Sequence, residues 1–176
     1  MPLYLVRHAH AVDEEENRKR PLSERGRTQV RALAAFFNNN QLFTPAHVWH
    51  SPLLRARETA ELLLNGLASD AALVETPDLL PEDDPVLIAN RIQAINTAIN
   101  IALVGHQPHL GALVTLLLRG KPARELVDVQ KAAVISLGQT GEIHKKTGRA
   151  LWRINWHITP DLLTARPAPA AQPWPP

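Results

Sequence analysis

The sequence predicts a single α/β domain built on a mostly parallel β-sheet with a late antiparallel hairpin. Short apolar runs of strand length alternate with longer stretches in which apolar residues recur at helical spacing. Near the C-terminus, apolar and polar residues alternate strictly, which indicates a pair of antiparallel strands. The length of 176 residues suits one ordinary domain and is too short for a full (β/α)8 barrel.

The first strand–helix pair lies at the N-terminus. Leu3–Val6 is an apolar run of strand length. A helix follows Ser23, a residue type that favours helix N-caps, and its apolar residues from Val30 to Phe37 share one face. The polar run Asn38–Asn40 predicts the end of this helix.

The pattern repeats twice in the middle of the chain. "HVWH" (His47–His50) predicts the second strand, and "LLRARETAELLL" predicts a helix that ends at Asn65-Gly66. "ALVET" predicts a third strand, and "PVLIANRIQAINTAI" predicts a helix that begins at Pro85.

The last elements combine another strand–helix pair with the hairpin. Asn100–Val104 predicts a buried strand, and the next helix runs from about Leu110 to Leu118 and stops at Gly120. "AAVISL" and "LWRINWHI" predict two strands that pair in antiparallel fashion around the polar segment between them.

The chain is predicted to divide into one domain and a short tail. Residues 1–160 carry the strands and helices. Residues 161–176 are dominated by "ARPAPAAQPWPP", which is too rich in proline for a helix or a central strand. We therefore expect an extended or mobile tail.

Composition excludes several classes of protein. Hydrophobic residues make up 45% and charged residues 20%, and no apolar run approaches the roughly 20 residues of a membrane span. The N-terminus lacks the features of a secretory signal, so we expect a cytoplasmic protein that does not bind membranes. The absence of cysteine excludes disulfides, thiolate metal sites and a cysteine nucleophile. The net charge of +2, with basic and acidic residues interleaved, argues against a nucleic-acid partner.

Charged and imidazole side chains follow three of the predicted strands. Arg7 and His8 follow the first, Arg55 lies just past the second, and His106 follows the fourth. The carboxyl ends of parallel strands meet at one edge of a sheet, so we expect these four side chains to converge there. Guanidinium pairs phosphate oxygens, and imidazole can donate to oxygen or attack phosphorus, so the set suits a phosphoryl group.

Other charged residues have simpler interpretations. Any one of the histidines, taken singly, is more often a structural loop residue. Arg57, four positions before Glu61, is interpreted as part of a solvated helix face. The acidic run Asp13–Glu16 is interpreted as a solvated loop. The remaining histidines without convergent partners are interpreted as structural: His47, His50, His144 and His157.

Four ordered motifs resemble one known family. "LVRHAHA", "RPLSERG", "SPLLRARETAELL" and "LVGHQPHLGALV" are similar to the histidine phosphatase superfamily, which includes cofactor-dependent phosphoglycerate mutases and histidine acid phosphatases. The compact size and "RPLSERG" are most similar to the SixA-type phosphohistidine phosphatase branch. The resemblance implies a phosphoglycerate mutase-like three-layer α/β/α sandwich.

The resemblance also implies a mechanism without metal or cofactor. His8 becomes phosphorylated, while Arg7, Arg55 and a protonated His106 hold the phosphate oxygens, and water then hydrolyses the phosphohistidine. The cationic neighbours favour the neutral form of His8. Ala9 departs from the glycine usual in the family, and its methyl group fits only if its φ stays negative.

The proton donor and the rim are less well defined by the motifs. "PDLLPEDDP" offers Glu82 as a candidate general acid, and Arg20 is placed at the rim of the pocket. The chain has no room for a lid between Val74 and Val86, so we expect an open pocket.

An open pocket suits a phosphoryl group on a protruding side chain of another protein. The predicted substrate is phosphohistidine on a signalling phosphotransfer domain, with the basic loop Arg18–Arg20 as a docking edge. The sequence does not indicate an oligomeric state.

Three alternatives remain at the level of sequence. The first is a phosphatase of a small phosphate monoester. The second is a metal-dependent hydrolase that uses His8, His10 and Asp13, with His106 and His109 as further ligands. The third is a non-catalytic phosphate-binding module in which Ala9 has disabled turnover.

Overall fold

One six-stranded mixed sheet forms the centre of the molecule, and the computed structural model describes residues 2–95 and 99–164. The strands are β1 Pro2–Arg7, β2 His47–His50, β3 Ala72–Glu75, β4 Ile101–Gly105, β5 Val134–Ile143 and β6 Ala150–Ile158. Their spatial order is β3-β2-β4-β1-β5-β6. The first four are parallel to one another, whereas β5 is antiparallel to both β1 and β6. The mostly parallel sheet and the late hairpin are confirmed.

The described residues also form five helices and one 3-10 turn. They are α1 Glu24–Asn40, α2 Leu54–Gly66, α3 Pro85–Ala94, α4 His109–Arg119, α5 Pro160–Thr164 and the turn Asn17–Lys19. The Ser23 side chain caps α1 by accepting from the backbone N–H of Gly26, and Asp84 caps α3 by accepting from that of Val86. In the described ranges, none of the helices has the length and hydropathy needed to cross a bilayer.

Helix α3 is shorter than its sequence pattern predicts. The prediction extends the helix to Ile99, but α3 ends at Ala94, and Ile95 already has an extended backbone. Residues 96–98 of the predicted helix lie outside the described residues.

Two apolar clusters, one on each face of the sheet, form the core. Leu3 and Leu5 of β1 pack in a cluster with buried residues of α3 and α4. Tyr4 and Val6 point to the other face and pack with residues of α1 and α2. This alternation along one strand places helices on both sides of the sheet and confirms the three-layer α/β/α sandwich.

The start of the predicted tail is helical. Residues 160–164 form α5, which packs against α1. The prediction of an extended tail from residue 161 is therefore wrong for its first four residues, because Leu162 and Leu163 continue the helix begun at Pro160. The proline-rich remainder, residues 165–176, lies outside the described residues.

The N-terminal turn of α1 is attached to the segment that follows β1. The backbone N–H of Ser23 donates to the carbonyl of His10 at 3.0 Å, and Ala11 forms a β-bridge with Leu22. A methyl group on Gly26 would overlap that same His10 carbonyl oxygen. Only glycine permits this close approach, which fixes the path of the chain just beyond Arg7 and His8.

Candidate active site

The carboxyl ends of β1 and β4 meet at the candidate site. The backbone N–H of His8 donates to the carbonyl of Gly105 at 3.0 Å. On the other side of β1, the backbone N–H of Arg7 donates to the carbonyl of Ala133 at 3.1 Å. The backbone N–H of Ala132 lies 3.2 Å from the carbonyl oxygens of both Arg7 and His8. The backbone of Arg7 and His8 is therefore held from both neighbouring strands.

His8 is oriented by one ring nitrogen and leaves the other available. Its Nδ1 lies 2.7 Å from the carbonyl oxygen of Ala9, so Nδ1 carries the proton and donates. Nε2 then carries no proton, and its lone pair accepts a hydrogen bond from Nε of Arg55 at 3.3 Å. An imidazole in this tautomer presents a nucleophilic nitrogen.

The two arginines are held by protein carbonyl oxygens. Nη1 of Arg55 donates to the backbone carbonyl of Asn17 at 2.9 Å and to its side-chain oxygen at 3.2 Å. Nη1 of Arg7 donates to the carbonyl of Val129 at 2.7 Å. Neither guanidinium forms a salt bridge with a carboxylate in the described part of the chain. Their positive charges are thus available to an anion.

His106 completes the group of four side chains. Its ring centroid lies 4.9 Å from that of His8. Its Nε2 lies 2.8 Å from the hydroxyl oxygen of Ser51, which also accepts from the N–H of Leu53. Its Nδ1 is buried and has no partner among the described residues. We call Arg7, His8, Arg55 and His106 the quartet.

Burial and positive charge keep both imidazoles neutral. Burial lowers the pKa of His8 to about 3, the hydrogen bond to Ala9 partly opposes this, and the charges of Arg55 and Arg7 add to the lowering. Burial, followed by the influence of His8 and Arg55, also lowers the pKa of His106. These effects keep His106 neutral in the free site, whereas the predicted protonated form is that of the ring beside a bound phosphate.

Ala9 fits the site without backbone strain. It is fully buried, its φ is not positive, and its N–H donates to the hydroxyl of Thr59 at 3.1 Å. That hydroxyl donates in turn to the carbonyl of Arg55 at 2.6 Å. The methyl group of Ala9 is therefore accommodated, because the φ of Ala9 meets the condition stated from the sequence.

Arg20 lies beside the quartet, whereas Glu82 makes no contact with it through a hydrogen bond or ion pair. Nη2 of Arg20 donates to Asp13 at 2.8 Å, and the charge of Arg20 contributes, after burial, to the lowered pKa of Arg55. Glu82 is exposed in the turn before α3 and forms no hydrogen bond or ion pair with a described residue. In the loop that carries Glu82, the carbonyl oxygen of Leu79 lies close to Gly105 at the end of β4.

The side chains at the centre of the site are largely buried. The loop between β3 and α3 is short, in agreement with the prediction that it carries no lid. Nevertheless, His8 is only 8% exposed and Arg55 only 5%. The reason is that Asn17, in the 3-10 turn before α1, lies against Arg55.

His8 and His10 are not arranged as a pair of metal ligands. Nδ1 of His10 lies 2.8 Å from the hydroxyl of Ser23, so its ring is held against α1. Over residues 2–95 and 99–164, no group of three or more His, Asp or Glu side chains could hold a metal ion.

The comparisons with known proteins agree on one family. The family model of the histidine phosphatase superfamily (branch 1) matches residues 3–80. An uncharacterized protein of Picosynechococcus sp. is 32% identical over 147 residues, which cover 78% of this chain and 84% of the relative. The chain belongs to the histidine phosphatase superfamily.

The relatives with known names place this histidine phosphatase nearest the SixA-type branch. Phosphohistidine phosphatase SixA of Escherichia coli K12 is 24% identical over 163 residues, covering 91% of this chain and 94% of SixA. The structure of the protein histidine phosphatase SixA complexed with tungstate superposes with a TM-score of 0.75 at 25% identity, covering 93% of this chain and 99% of that one. A mycobacterial glucosyl-3-phosphoglycerate phosphatase shares the fold at 18% identity, with a TM-score of 0.61 over 88% of this chain and 96% of its own.

Sequence reasoning missed several residues of this histidine phosphatase site. Ser51 directly follows β2, so the rule that found Arg7 and His106 could have found it too. Thr59 lies one helical turn after Arg55 on the same face of α2. No sequence signal indicated that Asn17 contacts Arg55, since that contact depends on the path of a polar loop.

Proposed function

We propose that this phosphatase is a metal-independent phosphohistidine phosphatase that transfers the phosphoryl group first to Nε2 of His8 and then to water. Its proposed substrate is phosphohistidine on a phosphotransfer protein. The observation that carries the proposal is the state of His8: a neutral ring, with Nδ1 bonded to the Ala9 carbonyl and Nε2 directed at Arg55. Such a nitrogen is a nucleophile placed among phosphate-binding groups.

In the first step, Nε2 of His8 attacks phosphorus in line. The phosphorus–nitrogen bond of the substrate breaks as the new bond to His8 forms, and the departing imidazole takes a proton from solvent. Arg7 and Arg55 stabilise charge on the equatorial oxygens. In the second step, water attacks phosphorus, releases inorganic phosphate and returns His8 to its neutral form. The proposal assigns this proton to solvent and not to Glu82, because Glu82 is exposed and forms no hydrogen bond or ion pair with the quartet.

His106 supports the same chemistry from the other side of the pocket. A phosphate dianion beside His106 would raise its pKa, so that the ring takes up a proton as the substrate binds. Nε2 is already engaged by Ser51. A protonated Nδ1 would then be the donor available to a phosphate oxygen.

Two observations support a protein substrate. The relatives over most of the chain include the protein histidine phosphatase SixA. In addition, the loop Thr76–Asp84 between β3 and α3 is short and lacks an inserted lid that could enclose a small metabolite.

Trapping the phosphoenzyme tests the chemistry. Rapid quenching of the wild-type protein with labelled substrate should give a protein-bound phosphate that is acid-labile and alkali-stable. His8→Ala should abolish both the trapped phosphate and turnover, whereas Arg57→Ala, on the exposed face of α2, should retain both. Near wild-type turnover by His8→Ala would overturn the covalent mechanism. Activity lost with a chelator and restored by zinc or manganese would overturn metal independence.

A substrate panel tests specificity. We expect kcat/KM to be highest for a phosphohistidine protein, lower for free phosphohistidine and lowest for sugar phosphates. A sugar phosphate that clearly exceeds both phosphohistidine substrates would replace the protein phosphatase assignment with that of a small-monoester phosphatase.

A further inference from the structure

A shallow pocket of about 260 Å³ lies beside the quartet and shares Arg7 with it. Its wall includes two further cations, Arg25 from α1 and Lys131 from the segment before β5. Two carboxylates, Asp128 and Asp161, also line it. None of the proposed chemical steps uses Arg25 or Lys131.

The segment that carries Lys131 is fixed to the backbone of the quartet. On its N-terminal side, Val129 accepts from the guanidinium of Arg7 at 2.7 Å. On its C-terminal side, the N–H of Ala132 lies 3.2 Å from the carbonyl oxygens of Arg7 and His8. Ala132 is fully buried with a φ of 58°, a conformation held by its surroundings. The backbone around Lys131 is thus fixed, and Lys131 lines the pocket that shares Arg7 with the quartet.

Lys131 and Arg25 have no hydrogen bond or ion pair through their side chains in the described ranges. The pKa of Lys131 is lowered, first by burial and then by the charges of Arg7 and Arg20, while Asp13 opposes this. Such crowded cations repel one another, and an added anion would relieve the repulsion.

The basic loop favoured by the sequence is less suitable for docking. Lys19 forms a salt bridge with Glu16 at 2.7 Å, and Arg20 forms one with Asp13 at 2.8 Å. Two of the three charges in Arg18–Arg20 are therefore already paired within the loop.

We propose that Lys131 and Arg25 form the docking surface for an acidic side chain of the phosphorylated partner protein, next to its phosphohistidine. The inference rests on the proposed function and assigns its specificity to residues outside the quartet. Arg25 is exposed on the outer surface of α1, so the surface extends from the phosphate pocket to where a folded partner can reach it. Asp128 and Asp161 line the same pocket and would repel a carboxylate that is not paired with Lys131 or Arg25.

Charge reversal tests this surface. Lys131→Glu and Arg25→Glu should each lower kcat/KM for an acidic phosphohistidine protein about tenfold at low salt, and by less at 0.5 M salt. For free phosphohistidine, which lacks the neighbouring carboxylate, the fold-loss should be clearly smaller, because only the influence of the Lys131 charge on His8 is then removed. Lys146→Glu, an exposed lysine of the β5–β6 hairpin, is the matched control and should change neither value.

The outcomes separate the two proposals. If the wild-type protein hydrolyses phosphohistidine but the charge reversals change both substrates equally or neither, the docking surface is wrong and the phosphatase assignment stands. If the wild-type protein hydrolyses neither phosphohistidine substrate, the proposed function fails and the docking surface fails with it. Recovery of the Lys131→Glu rate by an Asp→Lys or Glu→Lys change on the partner would support direct contact.

Discussion

At the scale of single residues, the site depends on which nitrogen each histidine leaves free. The Ala9 carbonyl fixes the proton of His8 on Nδ1, and Ser51 engages Nε2 of His106. The neutral rings lie beside two arginines that form no salt bridge in the described part of the chain, although the charge of Asp128 acts on Arg7. The free site therefore has excess positive charge, which favours a doubly charged phosphoryl group.

Replacing Arg55 should affect the rate more than binding. We expect Arg55→Ala to lower kcat on the order of 10²-fold with a smaller change in KM, because a guanidinium matters most when charge shifts onto the equatorial oxygens. Steady-state kinetics on a single phosphohistidine substrate provide the measurement.

Arg57→Ala is the matched control for Arg55→Ala. Arg57 lies two positions further along α2 and is exposed. Its Nε forms a salt bridge with Oε1 of Glu61 at 3.5 Å. Its removal should change kcat by less than twofold. Equal losses from the two substitutions would mean that the guanidinium of Arg55 has no special role.

The strand-end rule predicted the convergence of the quartet from sequence because parallel strands bring their carboxyl ends to one edge. It did not reveal Lys131, which reaches the site from a segment before an antiparallel strand. The lowered pKa of His106 in the free site was not predicted, because burial, the largest effect on that pKa, is a property of the folded chain.

At the scale of elements, the contact between α1 and the segment after β1 determines the shape of the site. Gly26→Ala should lower the free energy of unfolding by about 1–3 kcal/mol, because the added methyl group must displace the backbone at His10. Urea denaturation measures this change.

Thr28→Ala is the matched control for Gly26→Ala, since Thr28 is exposed on the same helix. Alanine has the higher helix propensity, so we expect Thr28→Ala to change the free energy of unfolding by less than about 0.5 kcal/mol. A loss as large as that of Gly26→Ala would show that α1 is sensitive to substitution in general, and that the close approach to His10 is not the cause.

The sequence predicted which segments form helices and which form strands more accurately than it predicted where each of them ends. Helix α1 was predicted accurately because Ser23 supplies a side-chain cap and the polar run Asn38–Asn40 marks its end. Strand β5 was predicted to end at Leu137, but it continues to Ile143. The added residues are mostly polar and exposed, and backbone pairing with β6 holds them in the sheet.

At the scale of the whole molecule, the two neutral histidines make stability depend on pH. An unfolded histidine has a pKa near 6.5, whereas that of His8 falls to about 3 on folding, and that of His106 is lowered too. Between these values the unfolded chain binds more protons, so stability falls as the pH drops below about 6.5.

Lowering the pH from 6.5 to 5 should therefore reduce the free energy of unfolding by roughly 2–4 kcal/mol, with little change above pH 7. Urea denaturation in phosphate-free buffer provides the measurement, and His8→Asn should show a smaller slope, with the remainder due to His106 and to the lowered pKa values of His109 and His157. Equal stability at pH 5 and pH 7 would contradict the neutral state of the two rings. Added inorganic phosphate should reduce the loss, since an anion in the site favours protonation of His106.

The antiparallel direction of β5 carries the chain away from the reacting groups. Val134 pairs with Val6 at the catalytic edge, and Ile143 lies nine residues later, about 30 Å along an extended strand. Lys146 lies in the turn that follows, and its side chain is exposed. This tip is therefore a suitable point of attachment for a fluorophore or a solid support, because a molecule anchored there would leave the phosphate pocket facing the solution.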